Sequence, residues 1–278
     1  MSIVVNTNVS SFLIQRSLSS ATGEIGKSLE KLSTGYRINR AADDAAGLTI
    51  SETLRAQARG ASMAASNAQT GVNLLQTAEG DLGIIHDNLQ RVRDLAIQAA
   101  NGTNATAERS AIESEVQARI NEIDRIANSS SFNTIKLLNG DNTTIALQIG
   151  SSSAASLNAL TIGSPLQKAD SSSLGLTSIS TAFASSAAAG SFISLVDTAI
   201  STVSTRRSTI GSLQNRLDSA IKSLAIKQEN MSASESRIRD IDVAKEAASL
   251  TKNQILQQAS ASLLAQANQA PGIALSLI

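Results

Sequence analysis

Apolar residues recur at alternating steps of three and four through the last third of the chain. This seam runs over five heptads, and polar side chains occupy three of its positions. A seven-residue apolar repeat of this length is typical of a coiled-coil helix. No proline lies between Ser191 and Ala270, so the pattern predicts one continuous helix through that stretch. The seam consists of Val196, Ile200, Val203, Arg207, Ile210, Gln214, Leu217, Ile221, Leu224, Gln228 and Met231.

A helix of this length cannot bury its apolar stripe against itself. A run of about 80 helical residues would extend about 120 Å, because each residue advances a helix by about 1.5 Å. The helix therefore needs long antiparallel partners from the same chain, further copies of the chain, or both.

Two further heptad stripes precede this seam, and a shorter helix is predicted from about Thr106. The second stripe should end at Asn101-Gly102, which is a typical C-cap pair. The first stripe contains Ile14, Leu18, Ala21, Ile25, Leu29 and Leu32. The second contains Ala58, Ala61, Ala65, Ala68, Val72, Leu75, Ala78, Leu82, Ile85, Leu89, Val92, Ala96 and Ala99, and the short helix presents Ile112, Val116, Ile120, Ile123 and Ala127.

After Asn128 the apolar period falls to two, which predicts a small β element. Asn139-Gly140 is a turn signal, and residues 143–149 alternate as a half-buried strand, with a second strand suggested around residues 157–162. Residues 151–190 are rich in serine and alanine, so we expect them to be exposed and weakly constrained. The predicted fold is mainly α, with long antiparallel coiled-coil helices, a small β-hairpin at the tip and both termini at the same end.

Composition narrows the function classes further. The chain has no cysteine and a single histidine, His86, which excludes disulfides and clusters of thiolate or imidazole ligands. Lys+Arg and Asp+Glu are both 23, so no global field favours nucleic acid or an anionic membrane. No run of 18 apolar residues predicts a membrane span, and the first residues resemble no cleavable signal peptide.

Two features could suggest an enzyme, and both have structural explanations that we favour. Residues 21–28 match a relaxed phosphate-loop pattern, but the apolar stripe of a helix runs through them, whereas a phosphate loop follows a buried strand. Asp43 and Asp44 could form a carboxylate dyad, but they more simply pair with Arg37 or Arg40 or cap the next helix. We therefore predict no catalytic site, no metal and no cofactor.

Several stretches resemble the bacterial flagellins. The most specific are residues 32–47 (LSTGYRINRAADDAAG) and 88–99 (NLQRVRDLAIQA). Together the matches cover about residues 1–150 and 191–278. The resemblance implies a structural subunit that polymerises into the flagellar filament for motility. The other matching stretches lie at residues 120–125, 132–133, 214–217, 229–231, 236–240, 254–259 and 264–269.

The resemblance also implies a division of the chain into three parts. Residues 1–43 would form an N-terminal inner-tube helix, and 238–278 a C-terminal one. Residues 44–237 would form an outer-tube coiled-coil domain with the β element at about 129–190, shorter than the outer domains of many flagellins. The side chains expected to pack in the inner tube are Ile14, Leu18, Ile25, Leu29, Leu32, Ile255, Ala259 and Leu263.

One surface patch has two readings. Its charges follow helical spacing, so it could be a solvated face supported by pairs four residues apart. The resemblance instead implies contact with the next subunit along a protofilament and, in many flagellins, with an innate-immune Toll-like receptor. Asp94 stands where the family often has glutamate. The patch comprises Gln90, Arg91, Asp94, Leu95, Glu115 and Arg119.

The resemblance further implies the partners and location of the chain. It would form a homopolymer and meet a flagellar export chaperone, the filament cap and hook-junction proteins. It would be secreted through the flagellar export channel without a cleavable signal and reside in the extracellular filament. A hook–filament junction-type protein of the same export system is the alternative. We favour a filament subunit because residues 90–93 and 266–269 resemble filament flagellins.

The terminal stripes are short and rich in alanine, so a lone pair of terminal helices should bury little apolar surface. Burial contributes about 25 cal/mol per Å², while ordering the backbone costs about 1–2 kcal/mol per residue. We therefore expect the two ends to become ordered only when neighbouring subunits add burial.

Overall fold

The computed structural model describes residues 7–141, 144–150 and 158–275. The chain forms two compact units, one made of Met1–Ala58 with Glu229–Ile278 and the other of Arg59–Gln228. The helices are α1 (Val9–Thr34), α2 (Ala45–Ala100), α3 (Thr106–Ser129), α4 (Ile179–Ala182), α5 (Ser186–Arg239) and α6 (Val243–Leu275). The strands are β1 (Ser131–Phe132), β2 (Ile135–Lys136), β3 (Ile145–Gln148) and β4 (Ala159–Ile162), and Ser164–Leu166 form a 3₁₀ turn.

The core of the second unit is built from the predicted seams. Every predicted position of the α2 stripe from Ala68 to Ala99 is buried, as are all five predicted positions of α3. On α5 the apolar seam positions are buried or half-buried. The mainly helical fold is therefore confirmed, because heptad spacing places these side chains on the faces where the helices meet.

Helices α2 and α5 run antiparallel in this unit. Arg93 Nε lies 2.6 Å from Asp197 Oδ1, and farther along Gln214 Nε2 donates to Glu79 Oε2 at 2.9 Å. Residue numbers thus rise on one helix as they fall on the other. The glutamine that interrupts the apolar seam is accounted for by this hydrogen bond across the pair.

Helix α5 contains a window of 18 residues that is long and apolar enough to cross a membrane, judged by length and composition alone. Core helices of ordinary globular domains pass the same test. Here Phe192, Val196, Ala199 and Val203 are buried in the core of the second unit, which accounts for the apolar composition of the helix.

The predicted β element is present as an antiparallel pair of β3 and β4, in which Ile145 faces Ile162. Ile145, Leu147 and Ile149 are half-buried on one side, as the alternation predicts. Gly71 on α2 lies against this strand, because a Cβ at that position would overlap the side chain of Leu147. Close approach of the strand thus explains a glycine inside a helix.

The expectation that residues 151–190 are exposed is wrong for the described part, residues 158–190; residues 151–157 lie outside the described residues. Leu174 and Leu176 are buried, and the ring of Phe183 packs edge-on against Phe192 with centroids 5.6 Å apart. Asp124 accepts hydrogen bonds from the amide and hydroxyl of Ser171 at 2.7 and 2.9 Å. The apolar residues here follow no regular period, so their burial could not be predicted from spacing, and the serine-rich composition favoured an exposed segment.

The expectation of one unbroken C-terminal helix is also wrong. Helix α5 ends at Arg239, and α6 begins at Val243. Tyr36 pairs with Asp240 in an antiparallel β-bridge, which takes the backbone at the break out of helical bonding. Asp242 then starts α6 by accepting a hydrogen bond from the amide of Lys245 at 3.1 Å.

In the first unit, α1 and α6 pair in antiparallel fashion. Asn8 Nδ2 donates to the carbonyl of Ala267 at 2.8 Å, and Ser28 Oγ donates to Glu246 Oε1 at 2.6 Å. The start of α1 and the last part of α6 therefore lie together, and the prediction that both termini share one end is confirmed for this pair.

The hairpin of β1 and β2 contains a strained turn that yields a first prediction. Phe132 faces Ile135, and the two residues between them, Asn133 and Thr134, have φ of 46° and 69°. A left-handed conformation costs a β-branched residue about 1–2 kcal/mol. We expect Thr134→Gly to stabilise the chain by about 0.5–1 kcal/mol in chemical denaturation, after the added entropy of an unfolded glycine is subtracted.

Thr103 serves as the matched control, because it is an exposed loop threonine outside the left-handed region. Thr103→Gly should lower the free energy of unfolding by about 0.4–1 kcal/mol, the entropic effect alone. Equal destabilisation by both substitutions would show that the turn stores no strain.

Candidate assembly surfaces

Helix α6 turns its more polar face toward α1. The side chains on this face are buried or half-buried, and two of them bond directly to α1: Glu246 to Ser28 and Gln257 Nε2 to Thr22 Oγ1 at 3.1 Å. Among the described side chains of α1 and α6, those that are fully buried are Ala21, Ser28 and Ser260. The face comprises Glu246, Ser249, Leu250, Asn253, Gln257, Ser260, Leu264 and Ala267.

The opposite side of α6 exposes several apolar side chains. Ile255 is 60% exposed and Leu263 54%, with Ala259 between them, and the exposed Ala244 and Ala248 precede Ile255 on the same side. We call these five residues the bare stripe of α6. A helix in a finished fold normally turns its apolar face inward. Large apolar side chains in solvent on an ordered helix therefore indicate a surface that another molecule covers.

Helix α1 also leaves large apolar side chains in solvent. Val9, Phe12, Leu13 and Leu29 are all more than half exposed. Leu13 and Leu256 contribute to a surface groove of about 470 Å³ between α1 and α6. Contiguous exposed apolar surface of this kind marks interaction sites in soluble proteins.

The residues predicted to pack in an inner tube fall into two groups. Ile14, Leu18, Ile25 and Leu32 are half-buried within the helix pair. The other four are exposed, and the three on α6 belong to the bare stripe: Leu29, Ile255, Ala259 and Leu263.

The patch predicted on the second unit joins α2 to α3. The Arg91 guanidinium donates through Nη2 and Nε to Glu115 Oε1 at 2.8 and 3.1 Å. Gln90, Asp94 and Arg119 are exposed beside this ion pair. An ion pair this exposed contributes at most about 1 kcal/mol to stability, so its side chains remain available to a partner.

Leu95 does not belong to this surface. It is only 2% exposed and lies in the core of the second unit. One residue after Asp94 is a rotation of about 100° around the helix, which turns the side chain of Leu95 toward the core. The patch that a partner could reach therefore consists of the five polar side chains, which Leu95 supports from beneath.

Two exposed isoleucines near this patch were not predicted. Ile84 and Ile97 on α2 are each about half exposed. Ile84 lies one heptad before Arg91, and Ile97 lies three residues after Asp94, so both share the patch side of the helix. Both lie outside the predicted apolar stripe of α2, and this position could have identified them as exposed apolar residues.

The paired aspartates have structural roles. Asp43 accepts hydrogen bonds from the backbone amides of Arg40 and Asn39, each at 3.0 Å, and these donors hold the pKa of Asp43 below its usual value. Asp44 Oδ1 accepts from the amide of Gly47 at 2.8 Å and so caps α2. Capping is thus confirmed for Asp44, whereas Arg40 pairs instead with Glu30 at 3.0 Å.

The other features that could suggest an enzyme have structural explanations too. Gly23 and Gly26 of the relaxed phosphate-loop pattern lie inside the unbroken helix α1. Within the described residues, no group of three His, Asp or Glu side chains is placed to hold a metal ion.

Comparison with known proteins identifies similar chains. Residues 5–143 match the family model of the bacterial flagellin N-terminal helical region, and residues 193–278 match that of the C-terminal helical region. The chain is 42% identical to a flagellin of Halalkalibacterium halodurans over 99% of its own length and 100% of that protein. It is 44% identical to a flagellin of Bacillus subtilis, with 99% of each chain covered.

A solved structure shares the fold. A putative flagellar hook-associated protein from Vibrio parahaemolyticus superposes with a TM-score of 0.59, covering 71% of this chain and 100% of that one at 14% identity. At this identity the similarity concerns the fold alone.

Proposed function

Because the chain belongs to the bacterial flagellin family, it is a structural subunit of the flagellar filament, and we propose that it polymerises through the bare apolar faces of α1 and α6. The observation that supports this interface most directly is the exposure of large apolar side chains on α6. The side of α6 that meets α1 is mostly polar, while Ile255 and Leu263 remain in solvent. Neighbouring copies that cover this stripe would form the inner tube.

The energetic argument favours covering by copies of the chain. Ordering a helical residue costs about 1–2 kcal/mol, while apolar burial returns about 25 cal/mol per Å². A helix pair with three buried side chains gains little by itself. Each further copy buries more of the same ordered residues, so association supplies the stability that the isolated pair lacks.

The alternative of a hook–filament junction protein has less support. The likeness to the hook-associated protein lies at 14% identity. The likeness to flagellins extends over 99% of the chain at more than 40% identity. We therefore retain the filament subunit as the conclusion.

Substitution within the bare stripe tests the proposed interface. Ile255→Glu would bury an unpaired carboxylate wherever a neighbour covers the stripe, which costs several kcal/mol in a dry contact. We expect the variant to remain in the supernatant under conditions that sediment filaments of the unmodified chain, with few or no filaments in electron micrographs.

Gln254→Glu is the matched control, since it adds the same charge to an exposed position of α6 that lies about 100° around the helix from Ile255. It should polymerise as the unmodified chain does. Normal filaments from Ile255→Glu, or equal failure of both variants, would show that the bare stripe is not the interface.

We further propose that the patch around Arg91 contacts the next subunit along a protofilament and forms the surface that a Toll-like receptor recognises. The exposed Arg91–Glu115 pair supports this proposal, because it presents a fixed cation and anion without contributing much to stability. The exposed Ile84 and Ile97 add apolar area to the same side of α2.

Replacing one cation tests the patch. We expect Arg91→Ala to lower the rate of filament elongation and receptor activation in a reporter-cell assay by about tenfold, the effect of about 1.4 kcal/mol at an interface. Arg125→Ala removes an equally exposed arginine that pairs with Glu122 on α3 and should change neither readout. Unchanged elongation and unchanged signalling in Arg91→Ala would refute both halves of the proposal.

We also propose the remaining partners that the resemblance to flagellins implies, and the exposed stripe supports one of them. Before assembly, a segment that exposes Ile255 and Leu263 needs protection from non-specific association. A flagellar export chaperone that covers the stripe would provide it, and the filament cap and hook-junction proteins would receive the chain at the extracellular end of the export channel. In this proposal, export requires no cleavable signal.

A further inference from the structure

Helix α5 ends at a place where the sequence contains no helix breaker. Residues 212–270 include neither glycine nor proline. The stretch around the break, residues 236–245, reads SRIRDIDVAK and by composition could continue as helix. A helix that stops in such a sequence needs other partners for its terminal backbone groups.

Residues 35–37, which we call the docking segment, supply these partners. The amide of Ile241 donates to the carbonyl of Gly35 at 3.1 Å. The carbonyl of Arg239 accepts from the amide of Arg37 at 2.6 Å, and the carbonyl of Ile238 accepts from the Arg37 guanidinium.

These three bonds replace helical ones. In an unbroken α-helix each amide donates to the carbonyl four residues earlier. The amide of Ile241 and the carbonyls of Ile238 and Arg239 would then all bond within the helix. An unbroken helix would form five bonds here, from the amides of residues 241–245, whereas the docked arrangement supplies these three and the Asp242 cap. The helix would therefore regain its own backbone bonds when the docking segment leaves.

Side chains stabilise the docked arrangement. Arg239 lies over the ring of Tyr36, with Cζ 4.4 Å from the centroid, and its Nη1 donates to Glu52 Oε1 at 2.9 Å. Stacking and an ion pair of this kind stabilise a structure more when the guanidinium is shielded from water. The side chain of Arg239 is only 13% exposed. Asp242 caps the new helix through the amide of Lys245.

We propose that the docking segment imposes the break, and that α5 and α6 join into one helix across residues 240–242 whenever the segment is undocked. The break is then a two-state element within the first unit, and the order of the N-terminal segment decides whether α6 is a separate helix. This inference rests on the proposed function, because the first unit is expected to be ordered in the filament, and it is therefore tested on assembled filaments.

A reversible lock tests the proposal. Tyr36 and Asp240 face each other as an antiparallel pair flanked by its hydrogen bonds, with the close Cα spacing of about 4.5 Å that a disulfide accepts. The chain has no other cysteine, so Tyr36→Cys with Asp240→Cys forms a unique bridge. Arg37→Ala is added so that reduction releases the segment.

Residue-resolved hydrogen exchange is then measured on sedimented filaments of this one chain, first with the bridge oxidised and then with the bridge reduced. The amides of Val243 and Ala244 begin α6 and should exchange rapidly when the bridge holds the segment. In a joined helix they donate to the carbonyls of Arg239 and Asp240. Reduction should therefore slow their exchange by about tenfold or more.

Equal exchange at these two amides in both forms would overturn the proposal, because the break would then be intrinsic to residues 240–242. Loss of protection throughout α6 on reduction would overturn it too, since α6 would unfold rather than join α5. In the cysteine-free chain, Arg37→Ala should slow the same amides, whereas Arg40→Ala, which removes an arginine paired with Glu30, should not.

Discussion

The structure depends on one constraint: the apolar surface of its long helices exceeds what a single chain can cover. In the second unit α2, α3 and α5 meet along buried stripes, and the side chains from Leu82 to Ala99 on the α2 stripe are closed off from water. In the first unit α6 meets α1 through its more polar side, and large apolar side chains of both helices remain exposed. On this contrast rests our proposal that the first unit provides the contacts for assembly, because uncovered apolar surface drives association.

The polar residues of the first unit suit this division. Serine, asparagine and glutamine between α1 and α6 form hydrogen bonds that fix how the two helices pair, such as Ser28 to Glu246 and Gln257 to Thr22. Such bonds add little net stability in partly wet contacts, about 0.5–1.5 kcal/mol each, but they require one register. In this register Phe12, Ile255 and Leu263 lie on the outer faces, where neighbouring subunits would meet them.

The periodic spacing of apolar residues predicted the helices and the strand whose buried faces follow a regular repeat. The stripes of α2, α3 and α5 and the alternation of β3 were predicted because each residue's face follows from its spacing alone. The break after Arg239 was not, since it is made by the distant residues 35–37. The buried leucines of 158–190 follow no repeat, so periodicity could not predict them. Leu95 was assigned to a surface because its spacing on α2 does not show which neighbouring side chains cover it. In each case the missing information was a contact between residues far apart in sequence.

Limited proteolysis by trypsin tests the central claim, that the helices of the first unit become ordered through assembly. Cleavable residues lie along both ends, including Arg16, Lys27, Lys245 and Lys252. In dilute monomer trypsin should trim both ends and leave a core of about residues 44–237, while filaments should resist, because cleavage requires locally unfolded backbone. Equal resistance of both ends in monomer and filament would contradict the claim.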